Sequence, residues 1–250
     1  MEKVSGKPFE PNTSKNIRAA AQDDSGSLPQ PESMTKFWIL GEPETAEAER
    51  RRAKWNTDDG LRYESIRCPI EPDKHRRAGA RISPLSIILP NLEPREFVWT
   101  PFECLVQESV VRFFGDAGFT GYDMIPAKAK FASSSRQPPK FWELIAKGTA
   151  GTISVESSYK VLENCPGCGL PVYDTRILDP TRVVDEAKWD GTDFFHVEPA
   201  SGWIFVTDPV VKSLRGTKFK CWAAYTPLEW RESFDIAFPG HPKPTSTEGH

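Results

Sequence analysis

The sequence lacks the features that would place it in a membrane or an export pathway. None of its apolar runs approaches the roughly 20 residues that a membrane-spanning helix needs, and its first residues lack the apolar core of a secretory signal. It has only five cysteines in 250 residues, without the spacing of a disulfide framework. Such thiols suit a reducing compartment. We therefore expect a cytoplasmic protein with no membrane partner.

The sequence also lacks the short motifs of common enzyme classes. It contains neither a Gly-x-Ser-x-Gly turn for a nucleophilic serine nor a Gly-x-x-x-x-Gly-Lys-Ser/Thr phosphate-binding loop. A Cys–His pair would have to use one of four histidines, and His196 lies between Phe195 and Val197 in a predicted strand. A strand histidine more often satisfies a hydrogen bond than acts as a base. We predict no catalytic residues.

A broad basic face is absent as well. The net charge is −3, which argues against a dedicated nucleic-acid partner. The basic cluster from Lys74 to Arg81 is interpreted as a solvated loop, with an acidic partner as the alternative. Hydrophobic residues make up 38% of the chain, enough for a core, and 23 prolines indicate many short elements.

Both ends of the chain are poor in hydrophobic residues. Residues 1–33 and 238–250 are rich in small, polar and proline residues, so we predict two disordered tails around a single α+β domain at 34–237. Met34 is an alternative start of translation.

An internal repeat organises the predicted domain. Leu105–Arg112 aligns without a gap with Phe205–Lys212, sharing three valines, and Phe119 then falls on Phe219. Each copy predicts a strand, a short helix and a second strand, in units at about 97–131 and 193–230. The alternative is a chance likeness between two ordinary units. The predicted fold class is α+β, with mixed or antiparallel sheets.

Several further elements are predicted from local patterns. They are strands at Lys36–Leu40, Leu85–Leu89 and Gly151–Val155, a charged helix at Glu44–Trp55, a short helix at Phe141–Ala146, and a hairpin that pairs Asp193–Val197 with Trp203–Val206.

The segment that most clearly indicates a metal or redox site is Cys165-Pro166-Gly167-Cys168-Gly169. Two cysteines three apart around Pro-Gly form a tight turn that directs both thiolates to one point, and its glycines supply positive φ angles. Strand-like segments enter and leave this turn, which predicts a zinc-ribbon-like hairpin at about 152–175. The pair suits one structural Zn²⁺, and the alternatives are a redox pair or a decayed site.

A full zinc site needs ligands from elsewhere in the chain. Cys68 and His75 could complete a Cys₃His set. Cys68-Pro69 resembles the start of a second turn, but Glu71 stands where its second cysteine would fall. We interpret Cys104 and Cys221 as buried thiols in apolar strands.

Aromatic residues are concentrated in the last quarter of the chain. Alternation predicts that most of them are core residues and that the remainder suit a protein-binding face. They are Trp189, Phe194, Phe195, Trp203, Trp222 and Trp230.

Four motifs in order resemble the double-CXXCG motif proteins, a paralogous family best known from myxobacteria that includes toxin-immunity proteins. The motifs are Arg67-Cys68-Pro69, Cys165–Gly169, Asp193-Phe194-Phe195 and Phe205–Val211. The resemblance covers roughly Met34 to Trp230, and the chain departs from the pattern at Glu71 and Pro72. It implies a small α+β protein that binds a cognate toxin protein and blocks it. The alternatives are a zinc-dependent enzyme and a nucleic-acid-binding zinc ribbon.

Overall fold

The structure is a computed structural model that describes residues 37–59, 63–72, 76–157, 160–169, 171–174, 179–198, 200 and 202–230. The predicted tails at 1–33 and 238–250, and Met34, lie outside the described residues. The described residues all belong to one compact unit.

The described residues form three α-helices, fifteen strands and several short 3₁₀ turns. The helices are α1 (Ala46–Arg51), α2 (Glu108–Asp116) and α3 (Asp208–Arg215). The strands are β1 (Phe37–Gly41), β2 (Lys54–Trp55), β3 (Tyr63–Arg67), β4 (Arg76–Arg81), β5 (Ser86–Leu89), β6 (Phe97–Trp99), β7 (Cys104–Gln107), β8 (Tyr122–Phe131), β9 (Phe141–Ala146), β10 (Gly148–Thr152), β11 (Lys160–Asn164), β12 (Pro171–Asp174), β13 (Phe194–Glu198), β14 (Ile204–Thr207) and β15 (Ala223–Tyr225).

The strands form two large sheets and two separate hairpins. One sheet has the order β10-β13-β14-β1-β15, the other β2-β5-β8-β9-β7-β6, and the hairpins are β3–β4 and β11–β12. Most pairs are antiparallel, but β5–β8 and β10–β13 are parallel. The six-stranded sheet curls until its outer strands meet, since the N–H of Ala53 donates to the carbonyl of Trp99 at 2.8 Å. The α+β class with mixed sheets is confirmed.

The two sheets contain the same four-strand arrangement. The order β6-β7-β9-β8 in one matches β13-β14-β1-β15 in the other, and every pair in both sets is antiparallel. The registers also agree: Val106 lies opposite Trp142 in the first set, and Val206 lies opposite Trp38 in the second. The two sets differ in how the chain connects them. In the first set β9 follows β8 along the chain, whereas in the second set the equivalent strand, β1, comes first in the described chain, before β13, β14 and β15.

A helix follows the second strand of each set directly. Both helices begin with an acidic residue in the first turn, which suits the positive end of a helix dipole, and α3 adds a proline there. Val110 and Phe114 of α2, like Val210 and Leu214 of α3, are fully buried in the core between the sheets.

Strands in the middle of each sheet, such as β1, β7 and β14, are buried on both faces. Along β1, Trp38 and Leu40 pack into the core between the sheets, whereas Phe37 and Ile39 pack into a second core on the far face. A third core lies inside the curl of the six-stranded sheet, where Ile87 is fully buried. Strands covered on both sides read as continuous apolar runs, as these do.

Four predictions of local structure need correction. The strand predicted at Gly151–Val155 is β10 at Gly148–Thr152, and a 3₁₀ turn begins at Val155. Phe141–Ala146 is the central strand β9 and not a helix, because β7 and β8 pair with it on both sides. The predicted helix at Glu44–Trp55 is helical only over α1 and continues into β2. Cys221 precedes β15 and does not lie within a strand. The strands at Leu85–Leu89 and in the β13–β14 hairpin are confirmed.

The two hairpins differ from the sheets because their described side chains are largely exposed. On β3, residues 64–67 are all exposed, and on β11 so are Val161 and Leu162. Since neighbouring residues of a strand point to opposite faces, neither hairpin has a fully covered face. A two-stranded hairpin alone is marginally stable, so contacts at its ends must hold each one in place.

Candidate metal centre

Three cysteines from the two hairpins meet in one cluster. The sulfur atoms of Cys68, Cys165 and Cys168 all lie within 4.8 Å of one another. Cys68 directly follows β3, and the other two lie in the turn between β11 and β12. Cys68 and Cys165 are buried, whereas Cys168 is half-buried. The cluster joins residues 97 positions apart in the chain.

The other predicted ligand and the remaining thiols are not in this cluster. His75 lies outside the described residues, so its role as a ligand stays a prediction. Cys104 is buried in β7, where burial raises the pKa of its thiol well above the ordinary value. Cys221 is half-buried, and burial raises its pKa too. Both thiols are therefore held in the neutral form, as expected for structural cysteines.

The turn from Cys165 to Gly169 is closed by its own backbone. The N–H of Gly169 donates to the carbonyl of Cys165 at 2.8 Å, and Gly169 has a φ of +68°. Gly167 has no positive φ, so the prediction that both glycines supply one is wrong. Gly167 is needed for space, because a Cβ there would lie 2.7 Å from Cγ1 of Ile70 in the other hairpin.

Both cysteine turns direct backbone N–H groups at their first sulfur. The N–H groups of Ile70 and Glu71 donate to Sγ of Cys68 at 3.4 and 3.3 Å. Those of Gly167 and Cys168 do the same for Cys165. In each turn the donors are the second and third residues after the cysteine, so the two turns share one geometry.

These bonds favour the charged form of two thiols. The backbone N–H of Glu71, ahead of that of Ile70, lowers the pKa of Cys68, and burial opposes the shift. The N–H groups of Cys168 and Gly167 lower the pKa of Cys165 in the same way. A thiolate is the form that binds a metal.

The spacing of the sulfurs distinguishes a metal site from a disulfide. Sγ of Cys68 lies 3.6 Å from Sγ of Cys165, whereas a disulfide bond is about 2.05 Å long. Zinc binds sulfur at about 2.3 Å in tetrahedral geometry, which puts two of its sulfur ligands about 3.8 Å apart. The three cysteines could therefore hold a metal ion, and their soft donor set fits zinc.

Glu71 occupies the place in the first turn that Cys168 occupies in the second. Its carboxylate is not one of the ligand atoms that lie within 4.8 Å of one another in the cluster. The described residues thus bring together three sulfurs, and the departure noted at Glu71 falls on the fourth position.

An ion pair that sequence reasoning missed fixes the first hairpin to the six-stranded sheet. Nη2 of Arg81, at the end of β4, donates to Oε2 of Glu143 at 2.6 Å and to the hydroxyl of Tyr63 at 3.2 Å. Glu143 is buried in β9. The sequence did contain a signal for this ion pair: Glu143 stands among apolar residues in Phe141–Ala146. A buried acid of this kind requires a charged or hydrogen-bonding partner.

The prediction that most of the aromatic residues in the last quarter are core residues is confirmed. Phe194 and Phe195 are fully buried, and the four tryptophans, half-buried, pack against the cores. An exposed aromatic pair lies elsewhere: Trp55 of β2 stacks on Phe102, with ring centroids 5.5 Å apart. Trp55 is 43% exposed and Phe102 72%.

One depression on the described surface is too small to hold a substrate molecule. The depression lined by Arg51, Leu92 and Val98 encloses about 10 Å³, the room of a single water molecule. His196 lies 3.7 Å from Glu198 on the same strand, a surface ion pair when the imidazole is protonated.

Among the residues that the structure describes, no helix has both the length and the apolar character to cross a membrane.

Comparison with protein-family models gave no match for this chain. Comparison with curated proteins likewise gave no match.

Proposed function

We propose that this protein is a non-catalytic, immunity-type protein that binds and neutralises a cognate bacterial toxin in the cytoplasm. The observation that carries the proposal is the exposed Trp55–Phe102 pair. Single exposed apolar side chains are common, but two stacked aromatic rings form a contiguous apolar patch of the kind that marks interaction sites. Tryptophan is also enriched among residues that dominate binding energy at protein interfaces.

The pair is held in place before any partner arrives. Nε1 of Trp55 donates to Oε2 of Glu103 at 2.7 Å, and the hydroxyl of Thr100 also contacts that carboxylate. A fixed aromatic anchor loses little conformational freedom on binding, which is a property of efficient interface residues. The motif resemblance to toxin-immunity proteins supports the same function.

The cysteine cluster has a structural role in this proposal. One Zn²⁺ held by Cys68, Cys165 and Cys168 would join two hairpins that lack cores of their own, in the manner of a zinc ribbon. We also infer that the two four-strand sets arose by duplication. The shared registers support this inference, as does the sequence Phe-Trp-x-Leu, which occurs at both 37–40 and 141–144.

Co-expression with the toxin encoded by the neighbouring gene tests the proposal. The protein is expected to protect cells, and Trp55→Ala and Phe102→Ala are each expected to weaken toxin binding by about 2 kcal/mol or more. Leu228→Ala is the matched control, since Leu228 is also exposed, at 45%, but lies outside the pair. A neighbouring gene that is not a toxin, together with no protection, would refute the proposal.

A zinc-dependent enzyme is the second candidate, and one observation favours it. The cluster supplies three protein ligands. Catalytic zinc sites also have three protein ligands and bind water or substrate at the fourth coordination position. Turnover of any substrate by purified protein, lost on chelation, would establish this candidate.

A further inference from the structure

We propose that the three-cysteine centre, once loaded with a metal, keeps its fourth coordination position open to an exogenous soft donor such as an imidazole or a thiolate. This inference rests on the metal binding of the proposed function. It is carried by the likeness of the two turns, by the ligand atoms that they bring together, and by the exposure of the centre.

The likeness of the turns locates the fourth position. In each turn the first cysteine accepts bonds from the second and third residues that follow it. Cys168 is the third residue of its turn and contributes a sulfur. Glu71 is the third residue of the other turn, and its N–H lies 3.3 Å from Sγ of Cys68. Residue 71 therefore has the backbone position from which a fourth thiolate would come.

The residue at that position does not complete the set. The carboxylate of Glu71 is outside the group of mutually close ligand atoms, which consists of three sulfurs. A carboxylate is also a harder ligand than the thiolates that hold the ion. A zinc ion with three thiolates completes its tetrahedron with one more ligand, and a soft donor from outside suits that place.

Among the described residues, the centre is more exposed on the side where the third residues of the two turns lie. The two first cysteines are buried at 3% and 6% exposure, whereas Cys168 is half-buried. Glu71, its counterpart, is half-buried too. The third residues of both turns thus lie nearer to the solvent than the first. Ile70, which covers Gly167, is 60% exposed, so a small donor has a path along this edge.

Cobalt substitution provides the test, because Co²⁺ takes the place of zinc and reports its ligands by its absorption spectrum. The full-length protein is loaded with Co²⁺ and titrated with imidazole. We expect a saturable shift of the ligand-field bands, with the sulfur-to-cobalt charge-transfer intensity unchanged because all three thiolates stay bound.

Glu71→Cys is the decisive variant. A fourth thiolate from position 71 is expected to raise the charge-transfer intensity per cobalt to four-thirds of the wild-type value and to abolish the response to imidazole. Glu71→Ala is the matched control and is expected to keep both the wild-type intensity and the response. Circular dichroism of each variant checks that the fold is retained.

Three outcomes would overturn the proposal. One is a wild-type protein that binds cobalt but shows no imidazole response; a response regained in His75→Ala would then identify His75 as the fourth ligand. Another is a folded Glu71→Cys variant with unchanged charge-transfer intensity, which would remove position 71 from the site. The third is failure to bind cobalt at all. Protection against the toxin is scored in a separate assay, so failure there leaves this result standing.

Discussion

The paired sheets and the paired hairpins of this protein are held together in different ways. The sheets share an apolar core to which β1, β7, β14 and both long helices contribute. The described side chains of the hairpins are largely exposed, and the hairpins meet at three sulfurs, with one of them tied to the sheets through Arg81 and Glu143. The difference teaches that this fold has a part stabilised by burial and a part held by a few polar contacts and a cluster of three cysteines that could hold a metal ion.

The two four-strand sets show how the second part is attached to the first. Ile39 lies opposite Phe205 in one set, and Glu143 lies opposite Leu105 at the equivalent place in the other. Both residues are buried. Ile39 only packs in the core at this position, whereas the carboxylate of Glu143 accepts a hydrogen bond from Arg81 of the first hairpin.

Phe114→Ala should have the largest effect. Removing a fully buried ring from the core between the sheets leaves a cavity and is expected to lower the free energy of unfolding by about 3–5 kcal/mol. Chemical denaturation followed by tryptophan fluorescence measures the loss. Phe102→Ala, at an exposed ring, is expected to change stability little. Similar losses in both variants would contradict the division into buried and exposed parts.

Glu143→Ala should have the next largest effect. It leaves Arg81 without its carboxylate, at a cost of about 3 kcal/mol, the lower end for a broken buried pair because the arginine side chain keeps 22% of its exposure. Glu143→Ile combined with Arg81→Met should recover most of that loss, since an apolar pair needs no desolvated charge. A double variant as unstable as the single one would show that the pair contributes more than mutual neutralisation.

Removal of the proposed metal ion should loosen the hairpins and spare the sheets. After chelation, or in Cys165→Ser, amides of 160–169 are expected to lose protection from hydrogen exchange while those of β7 and β14 keep it. Cys221→Ser, outside the cluster, is the control. Simultaneous loss of protection in sheets and hairpins would mean that the two parts unfold as one.

The smallest effect concerns pH. In the metal-free protein the lowered pKa values of Cys68 and Cys165 favour thiolates in the folded state. Their contribution to stability is therefore full above the ordinary thiol pKa and is lost as pH falls through the lowered values. Hydrogen exchange of the hairpins at several pH values should show this trend, and Cys68→Ser should reduce its slope. An increase in protection at lower pH would contradict the assigned sign.

Local patterns were sufficient to predict the elements that alternate or repeat. Apolar spacing predicts the strand and helix at Leu105–Arg112, their counterparts at Phe205–Lys212 and the β13–β14 hairpin. The spacing of Cys165 and Cys168 likewise predicts a turn. Cys68 was associated with them because Cys68-Pro69 resembles the start of the same turn.

Long-range pairing was not predictable from those patterns. Phe141–Ala146 has apolar residues at a spacing that also suits a helix, and only its two neighbouring strands decide between the structures. A signal was present, because Lys36–Leu40 and Lys140–Leu144 share four of their five residues. The exposed Trp55–Phe102 stack depends on the curl of the sheet, which no local segment encodes.

The position of β1 has a consequence for how the protein is made. Nε1 of Trp38 bonds to Asp208 across 170 positions of the chain, so the ribosome must synthesise nearly the whole fold before this strand finds its partners. At roughly 5–20 residues per second this takes on the order of 10–30 s. During that interval a segment containing Phe37, Trp38, Ile39 and Leu40 has no sheet to join. Nascent chains of this protein should therefore depend on chaperones that shield apolar segments emerging early from the ribosome.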